Sequence, residues 1–139
     1  MKMLQFDQAY QVPEYVKKSA QQQLNELLQT VTGVHFVMLC TTDGFEVALS
    51  TKRNMDNASK VAAVSSSILA MVSAFISEIS LIGCKSITLD ADNGKVMLAA
   101  VDHPSHPMVL VASTTSDVLL GQMNFYMKKA VEALVQIPR

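Results

Sequence analysis

The chain has 139 residues, 50% of them hydrophobic and only 17% charged, with a formal net charge of -1. That length supports one core and one domain, and a charged share below the usual level of about 25% leaves a surface poor in charge, which favours association. Basic residues are scattered apart from Lys17-Lys18, Lys52-Arg53 and Lys128-Lys129, so there is no electrostatic footprint for nucleic acid.

The opening MKMLQFDQAYQVPEY lacks the apolar run and small-residue cleavage site of a signal peptide, and a cytoplasmic protein is expected. Residues 1–12 read as an N-terminal extension and 13–137 as a single domain. Pro13 fits a first helical position and Glu14 the favourable first turn; Val16, Ala20, Leu24, Leu27, Leu28 and Val31 follow at helical spacing up to a stop at Gly33, with Gln21 and Gln22 turned to water. Two strands are predicted next, over 34–40 and 45–51, joined by Thr42-Asp43-Gly44, where Asp-Gly supplies the positive φ angles of a tight hairpin.

Residues 57–82 are too long for a strand and carry only Lys60 and Glu78 as charges, so a third element is predicted that something must cover. Asp56 or Asn57 can cap this helix and Gly83 can close it in the left-handed conformation. At 100° per residue Val61, Val64, Ile68, Met71, Val72, Phe75, Ile76, Ile79 and Ile82 gather on one broad face and Ala63, Ser66, Ser67, Ala70, Ser73, Ala74 and Ser77 on the opposite one. The bulky face suits the chain's own sheet. The small residues suit close approach of a second helix, most economically the same helix of another copy, and are the expected homodimer contacts. Five serines between Val61 and Ser77 make a membrane span the poorer reading, and no membrane insertion is expected.

A second hairpin is predicted from 84–90 and 95–101 through Asp92-Asn93-Gly94, since Asn-Gly is a strong hairpin signal. After the loop 102–107 comes a fifth strand, MVLVAS, and a last helix started by Thr114, Ser116 or Asp117, with Val118, Leu120, Met123, Met127, Ala130, Val131 and Leu134 as its buried stripe.

From about Leu27 to Leu134 the chain resembles the Roadblock/LC7 family, in particular its stand-alone bacterial members. The likeness is carried by Val31-Thr32-Gly33-Val34, Thr42-Asp43-Gly44-Phe45 with Val47-Ala48, Ala62-Ala63, Asp92-Asn93-Gly94 and Leu120-Gly121, in order and at the family's spacing. The resemblance implies an α/β (α+β) profilin-like sandwich: a five-stranded antiparallel sheet of order 2-1-5-4-3, with the long helix on one face and the first and last helices on the other. It further implies a dimer in which the long helices pack antiparallel and the third strands, 84–90, join edge to edge, which adds Ser86 and Thr88 to the expected contacts. Members of the family bind and regulate small Ras-like GTPases or act as scaffolds in motor and signalling complexes.

No catalytic, cofactor or metal site is expected. Asp102-His103-Pro104-Ser105-His106-Pro107 is the best metal candidate, but zinc normally takes three or four protein ligands, and prolines after both histidines favour an extended, solvated loop. His35 and Cys40 share a strand five positions apart, so alternation sends their side chains to opposite faces. The two cysteines are too few for a secreted disulfide scaffold and read as small core residues. Lys52 and Arg53, on the lead into the long helix, are weak candidates for contact with an acidic partner or a GTPase-bound phosphate. The expected function is that of a non-enzymatic homodimeric regulator or scaffold for a small Ras-like GTPase or a related signalling partner. The alternative is a small-molecule sensor of profilin-like fold, which requires a pocket between sheet and helix.

Overall fold

The first helix, α1 (Glu14–Thr30), starts one residue after the expected position: Pro13, with φ at -56° and ψ at 150°, is extended and flanks the helix, and its carbonyl accepts the N–H groups of Val16 and Lys17. A computed structural model describes residues 12–139. All of the expected extension except Val12 lies outside them, and Val12 is buried against the core. One stripe of α1, from Val16 to Leu28, is buried. Gln21 is not turned to water as expected: it is half-buried, and its Nε2 donates to the carbonyl of Leu49 at 2.9 Å and to Asn25 at 3.0 Å. The polar side chain therefore fastens the helix to the sheet beneath it.

That sheet contains β1 (Val34–Thr41), β2 (Glu46–Thr51), β3 (Ser86–Ala91), β4 (Gly94–Val101) and β5 (Met108–Thr114), antiparallel in the order β2-β1-β5-β4-β3. Alternation divides the strands between two cores. Val37, Leu39, Met97, Ala99, Val101, Leu110 and Ala112 face α1 and the last helix, α3 (Leu120–Val135). Met38, Cys40, Leu98, Val109 and Val111 face the long helix, α2 (Ala58–Glu78). The sandwich is the one the resemblance implies.

The glycines at the two hairpins do different work. Gly44 has φ at +93° and its N–H donates to the Thr41 carbonyl at 3.0 Å, which closes the first turn as expected. A Cβ there would lie 3.0 Å from Ser66 Oγ and 3.1 Å from Ala63 Cα, so the turn presses directly on α2. Gly44→Ala is expected to cost about 1–3 kcal/mol through backbone strain and crowding, lowering the midpoint of thermal unfolding by roughly 5–10 °C; an unchanged melt would show that the turn and helix are not in tight contact. The second hairpin forms as expected but contains no positive φ angle. Asp92 and Asn93 form the turn with ordinary backbone, Gly94 already pairs with Ala91, and a Cβ on Gly94 would fall 2.5 Å from the Thr114 carbonyl. Space, not conformation, requires that glycine.

Three further helix ends differ from expectation. Asn57 precedes α2 without a side-chain capping bond, and the helix closes at Ser80, with φ at +64°, before Gly83 is reached. Leu81 N–H reaches back to Ile76 and Ser80 N–H to Ser77, the paired bonds that satisfy the last carbonyls of a helix. Helix α3 begins at Leu120, because Thr115 to Val118 form a turn in which Val118 N–H meets the Thr115 carbonyl at 3.5 Å; Val118 is buried in that turn, while Leu120 is 41% exposed rather than part of the buried stripe.

Candidate functional site

The outer face of α2 is the most unusual surface of the domain. Of its 21 residues only Ala62, Ser65, Ser66 and Leu69 are buried, together with half-buried Ala58, Val61, Ile68, Val72 and Ile76. The sheet takes a face roughly a quarter turn away from the one expected. Val64 is 51%, Met71 72%, Phe75 62% and Ile79 51% exposed, so the bulky residues were only partly placed by the sequence. The reason lies beneath the helix, where the Gly44 turn and Met38, Cys40, Leu98, Val109 and Val111 fill the sheet surface and admit small side chains. Ser66 is accordingly withdrawn from the expected contacts: it is covered by the chain's own first hairpin, and its hydroxyl donates to the Ala63 carbonyl. Ala63, Ser67, Ala70, Ser73, Ala74 and Ser77 are exposed.

The contact of Ala63 and Ser66 with the turn between β1 and β2 orients α2 over the sheet. The flank carrying Val64, Met71 and Phe75 is exposed, and β3, like β2, is an edge strand. Ile87 and Leu89 project from β3 on the α2 face, opposite Leu98 and Val96; Ser86 and Thr88, opposite Ala99 and Met97, project on the other. Leu89 is 42% and Ile82 99% exposed, so helix, connection and strand edge each present exposed apolar side chains. Sequence reasoning missed Val64, Met71 and Phe75 of α2 and Leu89 of β3 as outward-facing groups; for the first three the signal was their bulk on a helix whose other flank must clear a hairpin turn.

By length and hydropathy α2 alone among the described helices could cross a membrane, with a mean hydropathy of 1.7 over its most apolar window. Its packing on the sheet of its own chain makes it the outer layer of the domain. Between sheet and helix, Met38, Cys40, Leu98, Val109 and Val111 pack with Ala62 and Leu69 of α2. A shallow groove of about 460 Å³ lies instead between α1 and α3, lined by Leu27, Ala130 and Ala133 and bordered by Glu26 and Lys129.

The side chains weighed for chemistry have structural partners. His103 is buried, not part of a solvated loop: its Nε2 donates to the Ile137 carbonyl at 2.7 Å, and its Nδ1 accepts the N–H groups of Ser105 at 3.1 Å and His106 at 3.0 Å. With both ring nitrogens occupied it ties the loop to the chain's last turn and has none to offer a metal. Burial pushes the Cys40 thiol up to about 12, and its Sγ lies 3.7 Å from the Val109 carbonyl, so it is a core residue and not a nucleophile. Lys52 and Arg53 are exposed just beyond β2, at the end of the sheet away from the Gly44 turn.

Comparison with known proteins agrees with this geometry. The model of the Roadblock/LC7 domain matches residues 20–113. No curated protein sequence matches. Among solved structures, MglB of Myxococcus xanthus superposes with a TM-score of 0.80 at 14% identity, covering 91% of this chain and 92% of that one. The gliding protein MglB of Thermus thermophilus gives 0.79 at 16% identity, covering 90% and 92%. Profilin II of Acanthamoeba castellanii gives 0.54 at 16% identity, covering 83% and 95%. At these identities the structures establish the shared fold, and the family model, which spans more than half of the sequence, establishes the lineage: the chain belongs to the Roadblock/LC7 family.

Proposed function

We propose that this protein is a non-enzymatic, homodimeric regulator or scaffold that binds a small Ras-like GTPase or a related signalling partner. The observation that carries the reading is the open face of α2, where large apolar side chains stand exposed beside an edge strand in a family member whose buried polar side chains, among the described residues, all have internal partners. Covering Met71, Phe75 and Leu89 with a second copy removes apolar area from water and protects the β3 edge. The exposed small-residue flank and the basic pair Lys52-Arg53 remain for a partner. Holding a GTPase's switch loops in place needs contact area and no chemical group from this chain.

The test is titration of the purified protein against Ras-like GTPases of its own genome, each loaded with GDP or with a non-hydrolysable GTP analogue, followed by fluorescence anisotropy in magnesium. One nucleotide state is expected to bind at least about tenfold more tightly, and Lys52→Glu with Arg53→Glu to weaken that binding. Absence of binding in both states, with the dimer intact, would remove the GTPase from the proposal.

A further inference from the structure

The helices α1 and α3 do not close against each other along their whole length. Where Ala130 and Ala133 face Leu27, no side chain is long enough to fill the gap, and the groove of about 460 Å³ results. Leu27 and Ala130 form a buried, apolar floor. The rims are polar, with Gln23 and Glu26 on α1 and Lys129 on α3. A cavity of about 150 Å³ accepts a benzene-sized group, so this groove has room for an aromatic and an aliphatic side chain together.

The chain brings such side chains to the same layer. Val12 is buried in one cluster with Leu27, Ala130, Leu134 and Ile137, and the Tyr15 hydroxyl donates to the Pro138 carbonyl at 3.0 Å. The segment that precedes Val12 therefore joins the domain where α1 begins and α3 ends, on the groove's side of the sheet. That segment, MKMLQFDQAYQ, carries Leu4 and Phe6 two positions apart, which places both on one side of an extended chain. Its single acid is Asp7.

We propose that residues 1–11 fold back along the α1–α3 seam of their own copy, with Phe6 and Leu4 seated in the groove. Lengths select this arrangement. A helical rise of about 1.5 Å per residue puts Leu27 about 20 Å and Thr30 about 24 Å beyond Glu14. At about 3.3 Å per residue, an extended chain carries Phe6 about 20 Å and Leu4 about 26 Å from Val12. Phe6 then lies over Leu27 and Ala130, and Leu4 against Thr30 and Tyr126. Asp7 comes level with the rims, where Lys129 attracts its carboxylate and Glu26 repels it, so the segment leans towards α3. Docked in this way it closes the α1–α3 face within each copy and leaves the α2 side open to other molecules.

Paramagnetic broadening in the full-length chain tests the contact. Cys84→Ser removes the half-buried thiol, Cys40 is buried, and Gln5→Cys carries a nitroxide on the side of the segment that faces away from the groove. In nitrogen-15 spectra the amides of Leu27, Thr30, Tyr126 and Ala130 are expected to lose most of their intensity, while that of Ser73 on α2 keeps its own. Full intensity at all of these positions would overturn docking. A mixture of isotope-labelled protein without nitroxide and nitroxide-bearing protein without isotope, left to exchange subunits, is expected to show no loss; loss there would assign the groove to the segment of a second copy and overturn the proposal. Phe6→Ser is expected to restore the intensities, and persistent broadening would overturn Phe6 as the anchor. Lys129→Glu is expected to reduce the broadening and Asp7→Lys, added to it, to bring it back; failure of that rescue would overturn the register.

Discussion

Phe75→Arg is expected to yield a folded monomer. Phe75 is 62% exposed and lies on the outward flank of α2, so its ring contributes little to the chain's own core. In the proposed dimer the same ring is covered. Replacing it removes about 2–3 kcal/mol of apolar burial at each copy and places an unpaired guanidinium in a desolvated contact, worth about 3–5 kcal/mol more. A loss of even 4 kcal/mol raises a dissociation constant about a thousandfold. Light scattering at low micromolar concentration should report the monomer mass, and circular dichroism should report an unchanged helix and sheet signal. Ala70→Arg and Ala74→Arg test the other flank. If either breaks the dimer while Phe75→Arg leaves it intact, the small residues are the contact and the bulky flank is open to another partner.

His103→Ala is expected to be the most destabilising single change in the loop 102–107. The imidazole is 3% exposed and holds three hydrogen bonds, one to the Ile137 carbonyl and two from the N–H groups of Ser105 and His106. Because two backbone donors converge on Nδ1, the ring proton sits on Nε2, where Ile137 accepts it. Truncation leaves buried backbone groups without partners, at about 1–3 kcal/mol each, and opens a cavity behind the last turn. A total of about 3 kcal/mol would lower the denaturation midpoint clearly without altering the slope of the transition. Asp102→Ala, at an exposed position of the same loop, should change stability by less than about 0.5 kcal/mol. Equal effects from the two replacements would show that the latch carries no stability. Thermal melts and partner binding of the single variants separate a structural histidine from a functional one.

Local patterns in the chain were sufficient for its elements and their order. Asp-Gly and Asn-Gly marked both hairpins, short apolar runs beside those turn signals marked the strands, and the spacing of Val16, Ala20, Leu24 and Leu27 marked the first helix, because these signals act over a few residues and survive in any tertiary context. The sheet order came through resemblance to the family and matches the structure. What the chain's own pattern could not supply was the rotation of α2. A helix apolar on most of its circumference offers no periodic minimum to choose a face, so the decision passes to whatever lies beneath it: here a glycine turn so close that a Cβ on Gly44 would lie 3.1 Å from Ala63 Cα, with Ala62, Ser65 and Ser66 turned inward and Met71 and Phe75 left outside. His103 was illegible for a related reason, since its partner, Ile137, lies 34 residues away. Short-range chemistry determined where strands, turns and helices form; only the three-dimensional packing decided which apolar face was left for another molecule, because burial is a property of neighbours that the sequence does not place side by side.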